Sequence, residues 1–212
     1  MNHKSANERS GAEGRARLVS VLVVLFIAGF IVYITIAVGR TRRQTESFVN
    51  VVSALRINAA SMRDVQLIAA EYGGTSVDGD CSGGTCSYFF QFTNSWLHFL
   101  RLAPYTRVAC TLAVRNGKLY SRLLDFSSGV GPRAYSVVVR EMPELPEGMP
   151  SPFNVAKQWS GARWRIYVYL TPEATLDEHK EAYGINFGCL TKLGGCHDAQ
   201  ELLPTISWRA SL

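Results

Sequence analysis

Histidine is scarce, at four residues in 212, so metal or acid–base chemistry built on clustered imidazoles has little to draw on. His3 lies in a polar tail and His179 among acids on the polar face of a helix. His98 sits in the run Trp96-Leu97-His98-Phe99-Leu100, which reads as a strand edge or a buried turn. His197 follows Cys196 and precedes Asp198, but neighbours on a helix point apart, which argues against a nucleophile, base and orienting acid drawn from those three. A phosphate loop is missing as well. Gly83-Gly84, Gly129-Val130-Gly131 and Gly194-Gly195 lack the strand-to-helix setting and the lysine that such a loop uses. There is no internal repeat. Residues 44–212 carry no net charge, with 15 Lys/Arg against 15 Asp/Glu, so no nucleic-acid-binding face is expected there.

What is present starts with the placement of charge. The formal excess of +5 falls entirely within residues 1–43, where Lys4, Arg9, Arg15, Arg17, Arg40, Arg42 and Arg43 face only Glu8 and Glu13. Between the two basic groups lies LVSVLVVLFIAGFIVYITIAV, Leu18–Val38, 21 residues without a charge. At ~1.5 Å per residue such a helix crosses a hydrocarbon layer of ~30 Å. A cleaved signal would have an apolar core of only ~7–15 residues, so a retained transmembrane helix with the bilayer as its partner is the expectation. Residues 1–17 read as a disordered basic tail, 39–60 as a helical stalk, and 61–212 as a globular domain. Four basic residues flank the run on either side, so the charge bias that sets orientation is tied.

Cysteine breaks the tie. All five cysteines follow the apolar run, and four form close pairs, Cys81 with Cys86 and Cys189 with Cys196. Small paired loops suit disulfides in an oxidising compartment. The N-terminus is therefore expected in the cytoplasm and the domain in the periplasm or outside the cell. Zinc held by these thiolates in a cytoplasmic domain is the alternative, with spacing that fits the usual ligand pairs poorly. Cys110, on the apolar face of a strand pattern, reads as a small buried hydrophobe.

The pattern after residue 60 predicts an α+β fold with an antiparallel sheet and flanking helices. Ser61 and Asp64 resemble a capping box, Val65, Ile68, Ala69 and Tyr72 share a helix face, and Gly73-Gly74 ends it. Tyr88, Phe90 and Phe92 alternate with smaller residues, as do Val108, Cys110, Leu112 and Val114, before the hairpin signal Asn116-Gly117. A two-residue turn there sets Val114 opposite Leu119 and Cys110 opposite Leu123. Further strands are expected over 134–142 and 164–171, and a rigid Pro-rich loop over 143–152. Helix returns from Pro172, with Leu176, Tyr183, Phe187 and Leu190 in one stripe, and again over 197–203.

No catalytic residue, cofactor or metal is expected from these patterns. The aromatic and basic segment Trp159, Arg163, Arg165, Tyr167 and Tyr169 is the candidate binding face, because alternation turns Trp164, Ile166, Val168 and Leu170 inward. A helix over that face is the competing expectation. The sequence favours a non-enzymatic, membrane-tethered domain of the cell envelope that binds another envelope protein or a glycan. A membrane-anchored enzyme with its site under the 143–152 loop is the second reading.

Overall fold

A computed structural model describes the backbone of residues 4–77, 81, 84–129, 134–149, 152–160 and 163–206, and the side chains of all of these except 4–16, 159, 160, 163 and 164. The chain divides into two units, Met1–Gly39 and Arg40–Leu212.

The first unit is the N-terminal part of one helix, α1 (Lys4–Ala54). Its run from Leu18 exposes large apolar side chains, with Phe26 at 74% and Val24 at 64%. This helix is long and apolar enough to cross a membrane. The described backbone is helical from Lys4. Ala, Glu and Arg are good helix formers, and a helix already nucleated downstream extends through them at little cost.

The second unit carries a seven-stranded sheet: β1 (Thr75–Ser76), β2 (Cys86–Thr93), β3 (Thr106–Arg115), β4 (Lys118–Ser128), β5 (Ala134–Glu141), β6 (Phe153–Ser160) and β7 (Arg163–Leu170), in the order β1-β2-β3-β4-β5-β7-β6. Its helices are α2 (Met62–Tyr72), α3 (Ser95–Phe99), α4 (Leu176–Tyr183) and α5 (Ala199–Leu202), with a 3-10 turn at Phe187–Leu190. The α+β class is as expected. The sheet, however, is mixed: β5 and β7 pair in parallel, while every other neighbour is antiparallel. β6, which follows the Pro-rich loop in sequence, is the edge strand, and β7 lies between it and β5, pairing with both.

One core lies on one face of this sheet. Phe90, Phe92, Val108, Cys110, Leu112, Leu124, Phe126, Val137, Val139, Ile166, Val168 and Leu170 meet residues from the helices there. The segment expected as a stalk supplies part of that core. Phe48, Val49 and Val52 of α1 are buried, and the Phe48 ring lies 4.7 Å from Phe90 and 5.1 Å from Phe92. An apolar stripe at helical spacing belongs to a packed helix, and the domain therefore begins at Arg40, not residue 61.

Local signals fix several elements. The Ser61 hydroxyl accepts from the Asp64 amide, the Asp64 carboxylate accepts from the Ser61 amide at 2.8 Å, and Gly73 closes α2 at φ 74°. The Asn116-Gly117 turn has φ of 53° and 74°, and it pairs Arg115 with Lys118 and Val114 with Leu119 as expected. Beyond it a bulge intervenes: Ala113 pairs with Ser121, so Tyr120 is the extra residue and Cys110 faces Leu124 instead of Leu123. α4 begins later than expected, at Leu176, because Thr175 and Glu178 form its capping box. Leu176 is consequently 70% exposed, whereas Phe187 and Leu190 are buried from a separate turn. The last helix is shorter than expected, capped by Asp198.

Candidate functional site

The sheet's second face offers the broadest array of functional groups. Opposite residues in a ladder share a face, so the register lays Phe89, Thr111, Leu123, Arg140, Tyr169 and Asn154 in one row across six strands. Gln91, Ala109, Asp125, Val138, Tyr167 and Ala156 form the next row, and Arg107, Ser127, Ser136, Arg165 and Gln158 the one beyond. The helical residues of the described core all meet the opposite face, while on this one Ala109, Ser136 and Val138 are buried and Arg140 is exposed. Of the five residues expected to form a binding face, Arg165, Tyr167 and Tyr169 are half-buried on this surface. The side chains of Trp159 and Arg163 lie outside the described residues.

The tyrosine rings stack, with centroids 5.8 Å apart and planes 15° from parallel. Arg165 Nη1 donates to the Tyr167 hydroxyl at 3.5 Å, which favours the charged guanidinium. Asp125 is the acid of these rows, and it is engaged twice: Arg107 Nη2 lies 3.3 Å from it and the Ser136 hydroxyl donates to it at 2.8 Å. Arg140 and Arg165 form no ion pair among the described residues. Among the described residues the surface therefore presents two guanidinium groups outside any ion pair, Arg165 also attracted by Asp125, beside two stacked phenol rings.

The bulge creates a second cluster that the sequence pattern hides. Strict alternation from Leu119 would turn Ser121 and Leu123 inward. The extra residue instead turns Arg122 into the core, where it is 1% exposed. Its Nη2 bonds Glu141, itself 2% exposed, and the Tyr183 hydroxyl donates to the same carboxylate oxygen at 3.0 Å. Arg122 Nε and Nη1 make no hydrogen bond among the described residues. The guanidinium lies over the Tyr183 ring, 4.9 Å from its centroid, so the ring's electron-rich face partly replaces those bonds. Burial pushes the Tyr183 phenol well above its ordinary range, and the Cys110 thiol up to about 12. Cys110 is free, buried and protonated, which leaves it without nucleophilic character. The cluster joins β4, β5 and α4 and has no exposed reacting group.

The paired cysteines fall where expected. Cys81 and Cys86 have Cα atoms 4.9 Å apart, Cys189 and Cys196 5.1 Å, each at disulfide distance. The Tyr135 hydroxyl donates to the Cys196 carbonyl at 3.2 Å, tying the second pair to β5, and burial pushes that phenol up to about 12. No three metal-ligating side chains converge among the described residues. Comparison with protein-family models, with curated proteins and with solved structures finds no match.

Proposed function

We propose that the chain is a single-pass membrane protein of the cell envelope, whose domain stands on the periplasmic or exterior side and binds an anionic glycan through the second face of its sheet. The observation that carries the reading is the stacked Tyr167 and Tyr169 pair flanked by Arg165 and Arg140, on the sheet face opposite the described core. Sugar rings pack their C–H faces on aromatic planes, and guanidinium forks match carboxylate or phosphate groups. The charge-free run of α1 supports anchoring, since α1 is long and apolar enough to span. Local cysteine pairs support an oxidising side.

A photo-crosslinking residue placed at Tyr169, in the full chain in intact cells, tests the face. Adducts carrying glycan, lost when Arg140 and Arg165 are both replaced by Gln, are the expected result. Adducts only to polypeptide would reassign the face to a protein partner, and no adduct would end the reading.

A further inference from the structure

The loop between β2 and β3 shows the solvent a set of side chains that folding alone gives no reason to expose. Trp96 is 38% exposed, Phe99 75% and Leu102 46%, and Leu193, 68% exposed, belongs to a second loop bonded to the first through its neighbour: the Gly194 amide donates to the Leu102 carbonyl at 2.8 Å. Soluble surfaces seldom gather large apolar groups in this way. The display is built, not frayed. Asn94 is 3% exposed; its Nδ2 donates to the Pro104 carbonyl and its Oδ1 accepts from the Thr106 amide, both at 2.9 Å, so the two ends of the loop are clamped together. Leu97 and Ala103 fill the inside, and Arg101 takes φ 58°, a left-handed conformation that a side chain adopts at some cost.

The place of this loop in the domain names its partner. The Ala54 end of α1 leads to the β3–β4 hairpin, where the Asn58 amide donates to the Leu119 carbonyl and the Met62 amide to the Gly117 carbonyl, each at 2.8 Å. β2 starts at that same end, with Cys86 opposite Val114, and finishes at the other, with Thr93 opposite Arg107. Phe48 of α1 packs on Phe90 and Phe92, near the far end of β2. Arg40, eight residues earlier and ~12 Å further along the helix, therefore lies toward the Thr93 end of β2. Arg40 is the first residue of this unit and follows the charge-free run in sequence. Charge agrees with this placement: 94–105 contains no Asp or Glu, and Arg101 is exposed there, as are Arg40, Arg42 and Arg43.

We propose that the Asn94–Tyr105 loop, with Leu193 beside it, docks on the bilayer surface, inserting Trp96, Phe99, Leu102 and Leu193 at headgroup depth while Arg101 meets anionic lipid. Indole rings and apolar side chains flanked by cations favour that layer. Tethering through α1 keeps the loop near lipid at high effective concentration, so even a weak intrinsic affinity holds it there. The domain is then fixed at two points instead of swinging on one helix. This inference rests on α1 spanning the bilayer, and it is independent of the glycan-binding reading.

The test uses the full chain in phosphatidylcholine/phosphatidylglycerol vesicles, with a bimane label introduced through Phe99→Cys and spin-labelled lipid as quencher. Ile27→Cys, in the apolar run, and Lys118→Cys, at the hairpin, serve as references, while buried Cys110 stays unlabelled. Loss of emission at position 99 to shallow quenchers, with position 27 lost to deep ones and 118 retained, is the expected result. Retained emission at 99 with loss at 27 overturns the docking and leaves the anchor intact. Retained emission at 27 overturns both. Label–label contact at 99 between copies, without lipid quenching, overturns the docking in favour of a second copy of the chain.

Discussion

Replacing Arg122 by Met tests how the core is held, because the substitution keeps most of the side-chain volume while removing the charge, the hydrogen bond to Glu141 and the cation over the Tyr183 ring. Glu141 would then be left at 2% exposure without its cation, with the Tyr183 hydroxyl as its remaining donor. Leaving one member of a buried ion pair without its partner costs about 3–5 kcal/mol. For a domain spanning residues 40–212, at about 2–4 °C per kcal/mol, the melting temperature should fall by about 10 °C. The partner substitution decides whether coupling is the cause. Arg122→Met combined with Glu141→Leu removes both charges, and the double variant should recover much of the loss, since buried pairs exchange for apolar groups at little net cost. Thermal unfolding of the full chain in detergent micelles, followed by near-ultraviolet circular dichroism, reads all three. A single variant that melts within about 2 °C of the parent would refute the reasoning. So would a double variant whose loss equals the sum of the two singles.

Two glycines separate steric from conformational constraint. At Gly74 an added Cβ would lie 2.4 Å from Phe90 Cε1, a ring that is 1% exposed and has nowhere to move, so Gly74→Ala should cost about 1–3 kcal/mol by chemical denaturation. At Gly117 the space is open but φ is 74°, and Gly117→Val should cost about 1–2 kcal/mol through backbone strain alone. Cys110 carries a pH prediction. Its folded pKa is raised to about 12 from 9.0, so the folded state holds the proton more tightly than the unfolded one. That contribution is fully present below pH 9 and is lost as pH rises toward 12. Cys110→Ala should flatten this alkaline fall in melting temperature, measured against the parent, and an unchanged slope would contradict it.

The parts of the fold legible in the sequence are those that local chemistry decides. Ser61 with Asp64 announces the start of α2, and Asn116-Gly117 announces the hairpin with its first two pairs. Tertiary pairing decided the rest. β6, FNVAKQWS, follows the Pro-rich loop without clean alternation and exists as a strand because β7 pairs with it residue for residue. α3 is five residues long, too short for helical periodicity to show. The buried Arg122 was invisible because one bulge reverses the inside and outside of everything after it, and the adjacent Leu123 and Leu124 make either register plausible from pattern alone. The run at Trp96–Leu100 reads as a strand edge or a buried turn. Trp96–Phe99 lie in α3 instead, with only Leu97 buried and Trp96, His98 and Phe99 exposed. Apolar content by itself does not separate a core from a surface that meets another phase.

Thiol accounting in intact cells tests the central claim most directly. A membrane-impermeant maleimide is applied to cells making the full chain, with and without prior treatment by an impermeant reductant, and the labelled peptides are mapped by mass. A domain outside the cytoplasm with Cys81–Cys86 and Cys189–Cys196 bonded locally should take no label at first and label at those four positions after reduction, with Cys110 reacting only once the protein is unfolded. Four thiols that react only after the cells are opened, and need no reductant to do so, would place the domain in the cytoplasm and contradict the account.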